Sequence, residues 1–373
     1  MEKYWNISND SGEGFIINIG PQHPSTHGVL RLATKVNGET VEAMEPYLGY
    51  IHRGIEKISE SLTYKQIGYL TSRMDYLSAH MNNQAVALCI EQGASIQIPQ
   101  RAKVIRTIMA ELQRLASHLL WWGCMGLDMG AVSPFFYAFR EREMILEIFE
   151  ETGGNRLTMN YIVPGGVMHD LHKDFVKKVN VVLASLHSHT NEYEELLGGN
   201  VIFKHRLGGV GVLSSQLACE LGCTGPVARA SGISCDIRKH RPYDAYDRVK
   251  FNEITDTVGD CMARYRVRIA EIKESISIIE QLINNIPDGD YRTPIKGQLK
   301  LPTGEYYQRV ETARGELGVY IVSNGGATPY RVKYRTPNFG NLLALKPLVL
   351  GAKIGDLVAI MSTLDLIIPD IDR

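Results

Sequence analysis

Apolar residues recurring at helical spacing decide most of what this chain can fold into. Leu77, Met81, Ala85 and Leu88 recur at steps of three and four, as do Ile105, Ile108, Leu112, Leu115 and Leu119. That period lines side chains along one face of an α-helix. Phe175, Val179, Leu183, Leu186, Thr190, Tyr193 and Leu197 mark another helix, and Met262, Tyr265, Ile269, Ile272, Ile276, Ile279 and Ile283 a further one. An apolar stripe has to be covered by another element, so these segments predict helices packed on one another; the stripes are core seams rather than cofactor boxes. One more helix opens at Ser133-Pro134, where Ser suits a cap and Pro the first turn, and closes at Gly153-Gly154. Its aromatic run, Phe135-Phe136-Tyr137, predicts contact with something bulky.

The two ends of the chain read as β structure. Phe15–Ile19 is a short apolar strand, and Leu30-Arg31-Leu32 and Val41-Glu42-Ala43 flank Asn37-Gly38, a strong hairpin signal. Late in the chain, Leu317 to Val322 and Tyr330 to Tyr334 pair across Asn324-Gly325-Gly326, and a short helix around Asp356 to Met361 follows. The expected class is α+β, mainly α. A β element with a histidine-bearing loop spans residues 1–56, a helical bundle 57–290, and a C-terminal hairpin with a terminal helix 291–373. Gly208 to Asp236 is glycine-rich and predicted to be irregular, and its spacing matches no dinucleotide or phosphate loop, so NADH is not expected to bind here.

With 373 residues, 44% of them hydrophobic and 22% charged, there is ample material for a large core, and no Pro/Ser-rich linker divides it. A net charge of -1 argues against nucleic acid or an anionic lipid surface as the main partner. The first residues lack a signal-peptide pattern, and there is no run of roughly 18 apolar residues such as a membrane helix needs. The expectation is a protein soluble in itself and cytoplasmic. Six cysteines are scattered without a C-x-x-C pair or zinc spacing, which predicts reduced, mostly buried thiols and no metal held by this chain.

The most unusual segment is Gly20-Pro21-Gln22-His23-Pro24-Ser25-Thr26-His27-Gly28, where two prolines stiffen a turn bearing two histidines. An imidazole held this way is a candidate proton or hydrogen-bond donor; a turn with solvated histidines explains it equally well. Ser72-Arg73-Met74-Asp75-Tyr76 brings a cation, a carboxylate and a phenol into one turn, for which a surface ion pair beside a core tyrosine is the simpler account. Asp128 lies in an apolar, glycine-flanked stretch, and a buried carboxylate there needs a histidine or arginine partner. Glu111, Arg114 and His118 form one polar stripe, as do Arg264, Arg268 and Glu271; both read as solvated helix flanks.

Taken together, Gly20 to Leu32 (G-P-Q-H-P-S-T-H-G-V-L-R-L), Gly49 to Lys57 (G-Y-I-H-R-G-I-E-K), Arg73 to Tyr76 (R-M-D-Y) and Ser133 to Glu143 (S-P-F-F-Y-A-F-R-E-R-E) resemble the large, hydrogenase-like, 49 kDa-type quinone-site subunit of bacterial NADH-quinone oxidoreductase, respiratory complex I. The resemblance continues through Arg229-Ala230-Ser231-Gly232, Asp236 to Lys239 and Gly315 to Tyr320 to the final Asp370-Ile371-Asp372-Arg373. It implies a bundle of the nickel-iron hydrogenase large-subunit type. The two C-x-x-C pairs that hold the hydrogenase metal are missing, and Thr363-Leu364-Asp365-Leu366-Ile367-Ile368 stands in the end region, so hydrogenase chemistry is not expected.

The resemblance further implies that His27 and Tyr76 hydrogen-bond the two carbonyls of a quinone head group, and that Asp128 is the carboxylate partner of the histidine. Arg53 and His118 match positions near the terminal [4Fe-4S] cluster of a partner subunit, so electrons arrive from another chain. Implied partners are that small iron-sulfur subunit, the membrane subunit through which quinone enters, and other peripheral-arm subunits. The implied place is the cytoplasmic face of the inner membrane, with quinone reduction coupled to proton translocation. Asp288 to Thr312 is shorter than in mitochondrial-type relatives, so an interface built by their insertion is not expected here. The same subunit in a ferredoxin-, F420-dependent or plastid-type complex, or a non-catalytic scaffold derived from a hydrogenase, are the alternatives.

Overall fold

The structure, a computed structural model, describes residues 14–20 and 28–373. Three antiparallel strands, β1 (Phe15–Ile19), β2 (Arg31–Asn37) and β3 (Thr40–Tyr47), form the first sheet in the order β1-β2-β3. Asn37 pairs with Thr40, so the turn residues are Gly38 and Glu39, one position beyond the Asn37-Gly38 pair that the sequence suggests. Gly38, at φ 59, supplies the left-handed conformation such a turn needs. This sheet is tied to the far end of the chain, because Val41 N donates to Ala352 O at 2.9 Å and Gly351 N to Val41 O at 2.9 Å.

Helices follow: α1 (Ile55–Ser59), α2 (Tyr64–Thr71), α3 (Ala79–Ala94), α4 (Gln100–Asp128), α5 (Ser133–Gly153) and α6 (Phe175–Tyr193), with a small two-stranded ribbon of β4 (Ile162–Val163) and β5 (Gly166–Val167) between the last two. The predicted late helix is present as Cys261–Ile283. At 29 residues, α4 is about 43 Å long, and it runs through the middle of the molecule. It packs against α3, α5, the Cys261–Ile283 helix and the Ile354–Leu364 helix. Small residues let α5 approach α4 closely: a Cβ on Gly126 would lie 2.8 Å from Pro134 Cβ, and one on Gly123 3.1 Å from Phe135 Cα. Phe135 stacks on Phe139 at 4.2 Å, whereas Phe136 is exposed, so only part of the aromatic run meets the core.

Every residue of α4 from Val104 to Leu119 is buried, which overturns the expectation of a solvated flank. Glu111, Arg114 and His118 are at 0% exposure, and on the late helix Arg264, Arg268 and Glu271 are buried as well. Helices, the β4–β5 ribbon and the strand Gly304–Thr312 pack around α4, so its polar stripe meets other charges and backbone carbonyls instead of water. The stretch from Gly208 to Asp236 is also more regular than expected, with helices Ser215–Glu220 and Gly225–Arg229.

The second sheet has three strands, β6 (Gly304–Thr312), β7 (Gly315–Ser323) and β8 (Arg331–Arg335), in antiparallel order β6-β7-β8. β7 and β8 match the strands expected from sequence, and β6 is additional to them. The sheet covers α3 through a cluster that includes Val86, Cys89 and Ile90 on the helix and Val310, Leu317, Val319 and Ile321 on the strands. The bundle core, the two three-stranded sheets and the β4–β5 ribbon make a mixed, mainly helical fold.

His80, on α3, is wholly buried edge-on to Phe149 at 4.9 Å, and among the described residues neither ring nitrogen has a hydrogen-bond partner. Burial pushes its pKa down to about 3. The unfolded chain takes up this proton below about 6.5 while the folded chain does not. Its contribution to stability is therefore complete above that pH and is lost as pH falls. The difference in stability between His80→Leu and the parent chain should shift by about 2 kcal/mol in favour of the variant between pH 8 and pH 5, read from urea denaturation at both. A difference that does not change with pH would show that the imidazole is hydrated.

Candidate functional site

Tyr76 begins a single 3₁₀ turn, Tyr76–Ser78, between α2 and α3, and its side chain is half-buried. The turn is held from three directions. Asp75 caps it, Oδ1 accepting from Leu77 N at 3.0 Å; Asn82 Nδ2 of α3 donates to Asp75 O at 2.9 Å; Gln113 Nε2 of α4 donates to Leu77 O at 3.0 Å. Asp75 is buried and faces Arg314 Nη1 at 3.2 Å from Oδ2, so its cationic partner is not the neighbouring Arg73, which is exposed. Burial raises the Tyr76 pKa, the Asp75 carboxylate adds to this, and the Arg314 guanidinium opposes it. The hydroxyl remains a donor at neutral pH.

Asp128 is the last residue of α4 and half-buried. One turn earlier, burial pushes the Cys124 thiol up to about 12, with the carboxylates of Asp128 and Asp365 adding to the shift. Cys124 and Asp365 also act on the Tyr76 hydroxyl. Tyr76, Asp128 and Asp365 thus act on one neighbourhood, where the end of α4 meets the segment before α3. Gly28 reaches the same C-terminal segment: at φ +144, it would place a Cβ 2.8 Å from Ile368 Cβ. The expected site residue His27 lies outside the described residues.

Arg53 and His118 have different surroundings. Arg53 is exposed, donates from Nη2 to Arg73 O at 2.8 Å, and its backbone N meets Arg373 O at 3.3 Å. Nearby, Asp372 accepts from Gly49 N at 2.9 Å and Ile51 N at 3.0 Å, fixing the chain end against the segment before Arg53. His118 is enclosed in the bundle with Nε2 3.0 Å from Glu271 Oε2. Burial lowers its pKa in spite of that carboxylate, which keeps the imidazole neutral.

His118 opens onto an interior array of charges. Arg229 donates to Glu271 at 2.6 Å and to Glu311 at 2.7 Å. Glu111 accepts from Arg114 Nε at 3.2 Å, Arg238 Nη1 at 3.1 Å, Tyr246 OH at 2.5 Å and Ser275 Oγ at 2.7 Å. Burial alone would raise the Glu111 pKa, but Arg114 and Arg238 hold it at about 2. Arg238 also pairs with Asp236 at 2.7 Å. Arg314 and Asp365, at 3.1 Å, form a second group with Asp75. Arg314 has no place among the residues expected from sequence. The signal that finds Asp365 is a lone carboxylate in an apolar run, the criterion that singles out Asp128; Arg314 stands at the tip beside β6, a strand with no sequence signal of its own.

Residues 128–373 match the family described as respiratory-chain NADH dehydrogenase, 49 kDa subunit. The chain belongs to that family. Relatives of this 49 kDa-type chain include the C/D-type NADH-quinone oxidoreductase subunit of Bacteroides fragilis, 51% identical over 99% of this chain and 69% of that protein. The D-type NADH-quinone oxidoreductase subunit of Bacillus cereus is 44% identical over 96% of this chain and 99% of that protein, and that of Geobacillus kaustophilus 44% identical over 96% and 98%. Among the described residues of the 49 kDa-type chain, no group of three or more His, Cys, Asp or Glu side chains is placed to hold a metal ion, and no helix is long and apolar enough to cross a membrane.

Breaking one member of a buried charge array strands the others without water. Replacing Arg238 by Met should lower unfolding stability by roughly 3–5 kcal/mol, measured by denaturant titration of the full chain. A loss of less than about 1 kcal/mol, the range of an exposed pair, would mean that water reaches this array.

Proposed function

We propose that this chain forms the quinone-reduction site of an NADH-quinone oxidoreductase, beside a terminal iron-sulfur cluster held by a partner subunit. The observation that carries the reading is Tyr76: a half-buried hydroxyl, kept protonated by its surroundings, presented on a turn held from three sides and next to buried charges. Reducing a quinone to a quinol takes two electrons and two protons. Negative charge builds on each carbonyl oxygen, and a donor fixed beforehand stabilises it without reorganising. Tyr76 is the donor to one carbonyl and His27 to the other, with Asp128 orienting the imidazole and favouring its charged form.

Electrons come from the partner's cluster, since the resemblance brings no thiolate pairs for a metal into this chain. The exposed guanidinium of Arg53 suits the surface turned to that partner, where a cation raises a cluster's potential. His118 is fully enclosed and acts instead through Glu271 and the charge array. The bundle is of the hydrogenase large-subunit type, with its metal cleft converted to a quinone cavity. The chain is peripheral on the cytoplasmic side of the inner membrane, beside the small iron-sulfur subunit, the membrane subunit through which quinone enters and the other peripheral-arm subunits, and it couples quinone reduction to proton translocation.

Membranes carrying Tyr76→Phe or His27→Ala provide the test. Quinone reduction should fall on the order of 100-fold, while NADH oxidation by an artificial acceptor reduced upstream of the quinone persists in assembled complex. Unchanged quinone reduction in both variants would remove the donor roles and favour a scaffold that has lost its chemistry.

A further inference from the structure

We infer that Arg314 is a positioning residue for Tyr76, acting through Asp75 to hold the Tyr76 hydroxyl at the place where it meets its substrate; this rests on the quinone-site reading above. Charged residues at hairpin tips usually point into water. In the β6–β7 hairpin, Thr312 pairs with Gly315, so Ala313 and Arg314 are the tip, and Arg314 is completely buried.

Every guanidinium nitrogen has a partner. Nε donates to Asp365 O at 3.2 Å, Nη1 to Asp75 Oδ2 at 3.2 Å and Ser117 Oγ at 2.8 Å, and Nη2 to Asp365 Oδ1 at 3.1 Å. One side chain therefore ties the hairpin to the turn before α3, to α4 and to the segment after the Ile354–Leu364 helix. The tip itself cannot shift easily. A Cβ on Gly225 would lie 2.4 Å from Arg314 O, a Cβ on Gly315 2.5 Å from Thr224 Oγ1, and Asn341 Nδ2 donates to Arg314 O at 3.2 Å.

The path to Tyr76 is short. Asp75 Oδ2 binds Arg314 while Oδ1 caps the turn at Leu77 N, the residue after Tyr76. Asp75 is 2% exposed, so without Arg314 it would be a buried carboxylate lacking its cation. Such a group takes up a proton or moves toward water, and either change loosens the cap. A displacement of about 1 Å at a reacting group can reduce turnover by a factor of about 100.

A double-mutant cycle in membranes holding assembled complex tests this, with quinone reduction normalised to the artificial-acceptor rate. Tyr76→Phe, Arg314→Gln and the double variant are compared with the parent, using a short-chain quinone analogue. Arg314→Gln alone should lower kcat by roughly tenfold or more with KM for the quinone little changed, because the hydroxyl matters most in the transition state. In the Tyr76→Phe background the same replacement should reduce kcat by less than about twofold, since no hydroxyl remains to be positioned.

Equal fold-losses in both backgrounds, or a loss confined to KM, would overturn the inference in favour of a general packing role. No loss at all would also overturn it. If Arg314→Gln fails to assemble, the cycle is run with Arg314→Lys, which keeps a cation for Asp75 but loses the fork, under the same criteria. If Tyr76→Phe itself reduces quinone at the parent rate, the donor role of Tyr76 in the quinone-site reading is what fails, and the positioning role falls with it.

Discussion

Guanidinium groups cut off from water govern the architecture. Arg106, Arg114, Arg229, Arg238, Arg264, Arg268 and Arg314 are all buried, and an ion in the interior costs several kcal/mol unless it is paired and hydrogen-bonded. Apolar seams alone would let helices slide by a fraction of a turn, since one leucine replaces another at little cost. A planar fork with fixed donors does not allow that. Arg106 shows the effect: it grips Glu91 of α3 at 2.5 Å and the carbonyls of Val163 and Gly166 at 2.7 and 3.0 Å, locking α4 to α3 and to the β4–β5 ribbon. Arg264 does the same for the late helix, binding Gly259 O, Gly211 O and Thr363 Oγ1 at 2.9, 2.9 and 3.0 Å.

Helices were legible in the sequence because periodicity is a local property. Seams such as Ile105 to Leu119 and Met262 to Ile283 turn up as α4 and the Cys261–Ile283 helix. What lies opposite a helix face is not local. The spacing of Glu111, Arg114 and His118 would be identical on a solvated helix, so the simpler reading placed them in water. Only the position of α4 inside the bundle reverses it. β6 was hidden for another reason. Its residues Glu305, Tyr306, Tyr307, Gln308 and Arg309 lack alternating apolar character, and the strand exists because β7 pairs with it along its whole length.

The candidate site was legible unevenly. Tyr76 and Asp128 were named through family resemblance; by themselves a phenol beside an Arg–Asp pair and a lone carboxylate gave weak signals. For Asp75 the sequence offers Arg73, the nearest cation along the chain, as partner. Its actual partner stands 239 positions away. Pairings at that separation follow from topology, and a single sequence carries no direct trace of them.

Two charge groups meet at Asp365. It closes the Ile354–Leu364 helix in the left-handed conformation, at φ 53, which asparagine and aspartate tolerate better than most residues. One carboxylate oxygen is bound to Arg314, the other lies 3.9 Å from Arg268 Nε, and among the described residues neither that oxygen nor that nitrogen has a hydrogen-bond partner. Arg268 rests on Trp121 at 4.8 Å and feels Glu271, the partner of His118. The segment beside Tyr76 and the array around His118 are therefore joined through a contact looser than the links on either side. In a dry interior, Coulomb forces still act across 3.9 Å. Arg268 feels Asp365 and Arg314 on one side, and His118 feels Arg268 on the other, so the two groups are linked electrostatically through a single guanidinium.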